Sequence, residues 1–149
     1  MRFGRKKIFL AAGAIILAAG WMLHAASATC LPVLGSSLVR INVAGLLNGR
    51  AQTYCYADSA GKRLRFILAR GDDGKVRTVF DACRQCYTYH RGFKISHDEL
   101  ICRVCGNHYP IEHMTKGKAS CVPASLPHRE SGAMVTINTS DLKSGGYLF

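Results

Sequence analysis

The stretch RLRFILARGDDGKVRTVFDACRQC, residues 63–86, decides how this chain folds. A period of two runs through residues 64–68 and again through residues 76–80, and the sequence GDDG (71–74) lies between the two runs. Alternation of this kind is typical of half-buried strands, and Asp-Gly chemistry between two such runs predicts a β-hairpin. The second strand of this hairpin leads directly into Cys83.

The sequence after this hairpin also predicts short strands. GFKIS (92–96) and ELICRVC (99–105) form a second strand–turn–strand unit with a cysteine pair at one end, and MVTINTSDL (134–142) predicts a late strand followed by a short turn. KGKASCVPASLPH (116–128) is rich in Gly, Ser and Pro and predicts a loop. We therefore predict a mainly β domain with a small α+β fold as the alternative, in which β-hairpins carry the cysteine pairs.

The N-terminal segment predicts export from the cytoplasm. Basic residues precede an uncharged apolar run at residues 8–23, and the small residues AASA (25–28) follow it. This is the layout of a secretory signal peptide, and the apolar length also suits a signal anchor helix. Residues 1–28 are predicted to be one or the other, which places the rest of the chain in the periplasm or on the extracytoplasmic face of the inner membrane. Residues 29–53 are expected to form a linker or edge strand, and residues 54–149 are expected to form a cysteine-rich metal-binding domain.

The cysteines carry the chemistry that the sequence predicts most clearly. Four of them follow the pattern Cys83-x2-Cys86-x15-Cys102-x2-Cys105, which is the spacing of a four-thiolate site of the zinc-ribbon or rubredoxin-like kind. Two intervening residues allow a tight knuckle to direct both sulfurs at one ion, and two knuckles complete a tetrahedron. Gly106 follows the second pair, where a glycine lets the backbone curl around the sulfur.

Other uses of these cysteines are chemically possible alternatives to a metal site. Covalent haem is not expected, because Tyr87 and Gly106 stand where it needs histidine. Disulfides are the main alternative in an oxidising compartment, although a bridge within CxxC closes a very short loop and constrains little. Four thiolates suit zinc, a single iron or an iron–sulfur cluster, and neither common ferredoxin spacing is present. Cys121 is surplus to one tetrahedral ion, and it can replace a ligand, bind a second metal, or pair with Cys55 or Cys30.

The histidines and the charge balance suggest little beyond this site. His90, His108 and His113 lie within or just after the cysteine pairs and are candidates for a secondary copper or iron site, with exposed loop histidines as the alternative. The net charge is +11, but the basic residues are scattered without interleaved aromatics, so no nucleic-acid partner is expected. No nucleophile system stands out, and we expect an electron carrier rather than a catalyst.

Four segments give the chain a resemblance to a known family: RFILARGDDGKVRTVFDACRQCY, GFKIS, ELICRVCGNHYPI and GKASCVPASLP. Together they resemble the FtrD-like, membrane iron–sulfur-containing proteins, and the resemblance extends over residues 54–149. It implies an iron–sulfur centre and a place beside periplasmic iron-import systems. The candidate ligands that it implies are Cys83, Cys86, Cys102, Cys105 and Cys121.

The function expected from these observations is an extracytoplasmic electron-transfer module with an iron–sulfur cluster or a single iron on four thiolates, serving iron uptake. The alternative is a non-redox module that binds zinc or copper, or a structural envelope domain stapled by metal or disulfides. Its partners would be periplasmic or membrane redox and metal-transport proteins, together with the membrane itself if the N-terminal segment is not cleaved.

Overall fold

The computed structural model describes residues 30–116 and 121–149. The predicted signal peptide or anchor, residues 1–28, lies outside the described residues. Within them, no helix has the length and apolar character needed to cross a bilayer. The strands are β1 (Leu31–Val33), β2 (Leu38–Asn42), β3 (Arg50–Ala57), β4 (Arg63–Arg70), β5 (Val76–Cys83), β6 (Phe93–Ser96), β7 (Glu99–Cys102), β8 (His108–Pro110), β9 (Pro123–Ser125), β10 (Arg129–Ser131) and β11 (Met134–Asn138). The helical segments are α1 (Thr139–Ser144) and the 3-10 helices Tyr87–Tyr89, Ile111–His113 and Gly146–Leu148.

The prediction of a mainly β fold is confirmed, since a single short α-helix accompanies the strands of the described chain. The strands form three sheets: the large sheet, in the order β1-β3-β4-β5-β9; the terminal sheet, β10-β11-β2; and the knuckle sheet, β6-β7-β8. The predicted hairpin is β4 with β5, antiparallel, with Phe66 opposite Phe80 and Arg70 opposite Val76. The turn between these strands occupies the GDDG sequence.

The large sheet is buried on both faces because its central strand carries apolar residues on alternate sides. Leu64, Phe66 and Leu68 of β4 pack in one hydrophobic core with residues of the terminal sheet. Ile67 and Ala69 of the same strand pack in a second core with residues of the knuckle sheet. Burial of a large apolar side chain contributes about 1.5–3 kcal/mol, so the cores hold the two small sheets against the large one.

The segment expected to be a linker or edge strand, residues 29–53, holds β1 and β2 and the start of β3. β1 is parallel to β3 at the edge of the large sheet, and β2 is antiparallel to β11 at the edge of the terminal sheet. A disulfide joins Cys30, just before β1, to Cys55 in β3, with 5.6 Å between their Cα atoms. The bridge thus fastens the start of the described chain to the large sheet.

The described residues differ from the sequence prediction in two local elements. Residues 139–144 form the helix α1 rather than a short turn, and Leu142 of this helix is fully buried in the first core. Residues 123–125 form β9, although the Gly/Ser/Pro-rich composition around them predicted a loop. Proline is tolerated at the start of an edge strand, and β9 is the edge of the large sheet beside β5.

Candidate metal centre

The first cysteine pair lies where β5 leaves the large sheet. Cys83 is the last residue of β5, and a two-residue turn separates it from Cys86. Cys86 immediately precedes the 3-10 helix Tyr87–Tyr89, and its carbonyl accepts a hydrogen bond from the Tyr89 N–H at 3.2 Å. Cys83 is buried and Cys86 is half-buried, so this knuckle places one sulfur in the core and one nearer the surface.

The second cysteine pair forms the turn between β7 and β8. Cys102 ends β7; its carbonyl accepts from the Gly106 N–H at 2.9 Å, and its own N–H donates to the Asn107 carbonyl at 2.9 Å. Gly106 has a φ of 72°, which is the left-handed conformation that its place after a knuckle predicts. Cys102 is buried, whereas Cys105 on the outer side of the turn is exposed.

Cys121 reaches these two pairs through the strand that the sequence did not predict. β9 pairs antiparallel with β5 and sets Pro123 opposite Cys83, so the residue two positions earlier lies beside the first knuckle. The hydroxyl of Tyr109 in β8 donates a hydrogen bond to the Cys121 carbonyl. Sheet pairing on one side and this hydrogen bond on the other therefore hold Cys121 between the large sheet and the knuckle sheet.

Four sulfur atoms meet at this point. The Sγ atoms of Cys83, Cys86, Cys102 and Cys121 all lie within 4.8 Å of one another, and we call these residues the cysteine tetrad. From the Sγ of Cys121, the distances are 2.6 Å to that of Cys83 and 3.6 Å to that of Cys86. A tetrahedral ion with metal–sulfur bonds of about 2.3 Å places its thiolates about 3.8 Å apart, so the tetrad is spaced on the scale of ligands to one ion.

The fifth predicted ligand, Cys105, lies beside the tetrad. Its Sγ is 3.0 Å from that of Cys121, and its side chain is exposed. The CxxC pattern favours Cys105 over Cys121 as the partner of Cys102. The structure instead draws Cys121 into the buried group, because the β7–β8 turn opens toward solvent while β9 is paired to β5.

Burial disfavours ionisation of two tetrad thiols, those of Cys86 and Cys121, when no cation is present. It raises the pKa of Cys86 to about 12, and burial with the hydrogen bonds from Cys105 and Cys83 raises the pKa of Cys121 as well. Burial acts in the same direction on Cys105, but hydrogen bonds with Cys121 and with the Asn107 backbone outweigh it and lower the pKa. A cation among the sulfurs offsets the cost of ionising them, so metal binding here is coupled to proton release.

Asp81 positions the knuckle sheet beside the first cysteine pair. Its buried carboxylate accepts a hydrogen bond from the Phe93 N–H at 2.6 Å and lies 3.2 Å from the Arg65 Nε. Gly92 permits this approach, because a Cβ at that position would lie 2.4 Å from the Asp81 Oδ1. The carboxylate therefore ties the start of β6 to β5, two residues before Cys83.

The three histidines considered as secondary ligands stand outside the tetrad. His90 is exposed, has a φ of 52°, and lines a narrow cavity that also borders tetrad cysteines. His108 is exposed, and its Nδ1 lies 2.9 Å from the Glu99 Oε1. His113 is exposed in the 3-10 helix Ile111–His113. Among the described residues, the tetrad is thus made of thiols alone.

Sequence reasoning missed Tyr109, the residue that fixes the Cys121 loop. It is buried between exposed His108 and exposed Pro110, which is the alternation of a half-buried strand. That three-residue signal was too short to stand out beside the cysteine and histidine pattern.

Comparison with known protein families gives one match of direct relevance. Residues 46–149 match the family described as "Membrane iron-sulfur containing protein FtrD-like". This chain belongs to the FtrD-like family. The FtrD-like match confirms the resemblance that the sequence motifs suggested, and it takes in the whole tetrad together with Cys105. It starts after Cys30, so one half of the disulfide lies outside the matched region.

Other comparisons add little to this assignment. A comparison with curated proteins gives no match. Among solved structures, the FtrD-like chain is similar to a quaternary ammonium Rieske monooxygenase, CntA, in complex with an inhibitor, at 15% identity and a TM-score of 0.49 over 73% of this chain and 33% of that one. The apo form of CntA gives 14% identity and a TM-score of 0.49 over 73% of this chain and 34% of that one. This chain therefore spans about a third of the length of those enzymes.

The donor set fits a metal. Thiolate sulfur suits zinc, iron and iron–sulfur clusters, and the family description names an iron–sulfur protein. The cysteine tetrad and the family assignment together support metal binding at this site.

Proposed function

We propose that this chain is an extracytoplasmic electron carrier in which Cys83, Cys86, Cys102 and Cys121 hold a single iron ion. The observation that carries this proposal is the sulfur spacing, with all four Sγ atoms within 4.8 Å of one another. In an iron–sulfur cluster, thiolates bound to different irons are separated by the iron–sulfide core. They therefore lie further apart than thiolates bound to one ion. A thiolate-bound iron supplies exchange of one electron between its ferrous and ferric states.

The surroundings of the tetrad suit such a carrier. Cys83, Cys102 and Cys121 are 3%, 2% and 7% exposed and belong to a hydrophobic core with Ile67 and Leu100. An apolar, close-packed shell keeps water from the sulfurs and holds their geometry, and both properties tune the potential of a thiolate centre. Cys86 is half-buried, which gives a partner protein a short approach to the site from one side.

The proposed location is the periplasm or the outer face of the inner membrane. The Cys30–Cys55 disulfide supports this, because disulfides persist in oxidising compartments and are rare in the cytosol. The family description adds an association with membranes. The proposed partners are periplasmic or membrane redox and metal-transport proteins, and the process served is iron uptake.

A non-redox zinc module is the second candidate. Four thiolates with no open position are the usual ligands of structural zinc, and the tetrad is of this kind. In that case the ion would fasten the knuckle sheet to the large sheet, and the chain would carry no electrons.

Metal analysis of the purified full-length chain separates these readings. The protein is prepared without oxygen, and its iron, zinc, acid-labile sulfide and visible spectrum are measured. We expect about one iron per chain without sulfide, with thiolate-to-iron absorption that bleaches on reduction. Iron accompanied by a comparable amount of sulfide would show that the site holds an iron–sulfur cluster and not a single ion. A colourless protein with one zinc would overturn the electron-carrier function.

The location is tested separately from the metal. Alkaline phosphatase becomes active only outside the cytoplasm, because its active form needs disulfides. Fused after Phe149, it should be active in cells, whereas a fusion that lacks residues 1–28 serves as the inactive control. Equal activity of the two fusions would contradict the proposed location.

A further inference from the structure

An arginine-lined cleft lies beside the tetrad but outside it. The cleft encloses about 510 Å³, and among the described residues its wall holds Arg65, Arg91 and Arg103 together with the carboxylate of Asp81. This volume falls within the range of small-molecule sites, about 300–1,000 Å³. We infer that the cleft binds a small organic anion with two or three carboxylate groups.

Two of the arginines are already fixed in place for such a ligand. The Arg65 Nε lies 3.2 Å from the Asp81 Oδ2, and the Arg103 Nε donates to the Phe93 carbonyl at 3.0 Å. Within the described chain, the terminal nitrogens of these two guanidiniums make no hydrogen bond to protein. A guanidinium held at Nε presents its two terminal nitrogens as a fork that matches a carboxylate, and little side-chain entropy is then lost on binding.

The third arginine of the cleft is Arg91. Arg91 makes no hydrogen bond or ion pair within the described residues, and its side chain is exposed at the cleft. Arg65 also lines an adjoining cleft of about 330 Å³ with Arg63 and His90, so the positive charge extends beyond one cavity. Positive charges gathered in a concave site repel one another and attract anions, and a multivalent anion relieves this repulsion.

The shape of the cleft favours an organic anion over an inorganic one. Phe93 and Ile95 line the wall beside the guanidiniums and offer carbon surface to a ligand skeleton. Inorganic phosphate would occupy only a small part of 510 Å³. None of the tetrad cysteines lines this cleft, so the inference goes beyond the proposed electron transfer and does not depend on it.

The test is a calorimetric titration of the full-length chain at constant ionic strength. The probe is tricarballylate, a tricarboxylate that lacks the hydroxyl with which citrate chelates metals. We expect saturable binding of one molecule per chain. Arg103→Gln should weaken it about tenfold or more, because it removes charged hydrogen bonds to the ligand. Arg40→Gln is the matched control, since Arg40 is an exposed arginine on β2 in the terminal sheet and its loss should change nothing.

Several results would overturn the inference. They are the absence of tricarballylate binding, equal weakening by Arg40→Gln and Arg103→Gln, and binding of inorganic phosphate or acetate as tight as that of tricarballylate. If Arg103→Gln does not fold, Arg91→Gln replaces it, because Arg91 makes no hydrogen bond or ion pair with the described residues. Metal content is measured on the same samples. If the metal is present but tricarballylate does not bind, the anion-binding inference is wrong and the proposed electron transfer is unaffected.

Discussion

The seven cysteines divide into two regions with opposite chemistry. Cys30 and Cys55 are buried and joined as a disulfide beside the pairing of β1 with β3, and the Arg63 guanidinium donates a hydrogen bond to each sulfur at 3.4 Å. At the other region, five thiols remain free and four of them converge within 4.8 Å. The comparison indicates that the number of sulfurs brought together decides whether they form a disulfide or a candidate metal site. Two sulfurs by themselves can form a disulfide, whereas four close together can supply all the ligands of a tetrahedral cation.

The largest effect is expected when the tetrad loses Cys121. Cys121→Ser should reduce metal affinity by more than about 100-fold, since groups outside the coordination shell alone account for about 10–100-fold. The matched control is Cys105→Ser, which changes an exposed thiol 3.0 Å away and should leave the metal bound. The metal-to-protein ratio after desalting measures both. If Cys121→Ser keeps its metal and Cys105→Ser loses it, the ligands are instead the four cysteines of the two CxxC pairs.

The disulfide region should affect stability rather than metal. Replacing Cys30 and Cys55 together by serine opens a loop with a sequence separation of 25 residues. We expect the free energy of unfolding to fall by about 3 kcal/mol, which urea denaturation measures. Metal content should stay at the wild-type level. Loss of metal in this variant would mean that the two regions are not independent.

A smaller effect is expected at the hydrogen bond that holds Cys121. Tyr109→Phe removes the hydroxyl that donates to the Cys121 carbonyl and leaves that acceptor without its partner. A buried unpaired acceptor costs about 1–3 kcal/mol, so metal affinity in a chelator competition should fall by about tenfold. Tyr147→Phe is the control, because that side chain is 66% exposed. Equal losses in the two variants would remove the role assigned to Tyr109.

The smallest effect concerns the β4–β5 turn, which lies along the chain between Cys55 of the disulfide and Cys83 of the tetrad. In the β4–β5 turn, the Arg77 guanidinium lies 2.7 Å from the Asp73 carboxylate and, by hydrogen bonding, holds the pKa of Asp73 well below its usual range. A carboxyl whose pKa is lowered on folding stabilises the folded state above its unfolded pKa of about 3.9, and this stabilisation is lost as the pH falls. Asp73→Asn should therefore be slightly less stable than wild type at neutral pH.

The sign of this pH dependence gives the measurement. The difference in urea midpoint between wild type and Asp73→Asn should shrink as the pH is lowered below about 4, and it should also shrink with added salt. Asp98→Asn, at an exposed aspartate with no ion pair in the described chain, is the control. A difference that grows on acidification would contradict the pairing.

Much of the fold could be read from the sequence because the signals were local. The GDDG turn and the alternation around it predicted β4 and β5, and Gly106 marked the second knuckle. The strand β9 could not be read, since its pairing depends on the unpaired edge of β5, about 40 residues away, rather than on its own propensities. The helix α1 was likewise predicted only as a turn, because burial of Leu142 in a distant core stabilises it.

The sequence by itself determined which atoms are available: two cysteine knuckles on hairpins, further cysteines to complete or cross-link them, and a family assignment that names iron and sulfur. The tertiary structure decided how those atoms are shared. It paired Cys30 with Cys55, moved Cys121 into the tetrad beside exposed Cys105, and placed three arginines around one cleft. Spacing along the chain specifies only local turns. The partners of a side chain across sheets are set by strand pairing and burial, which local sequence does not encode.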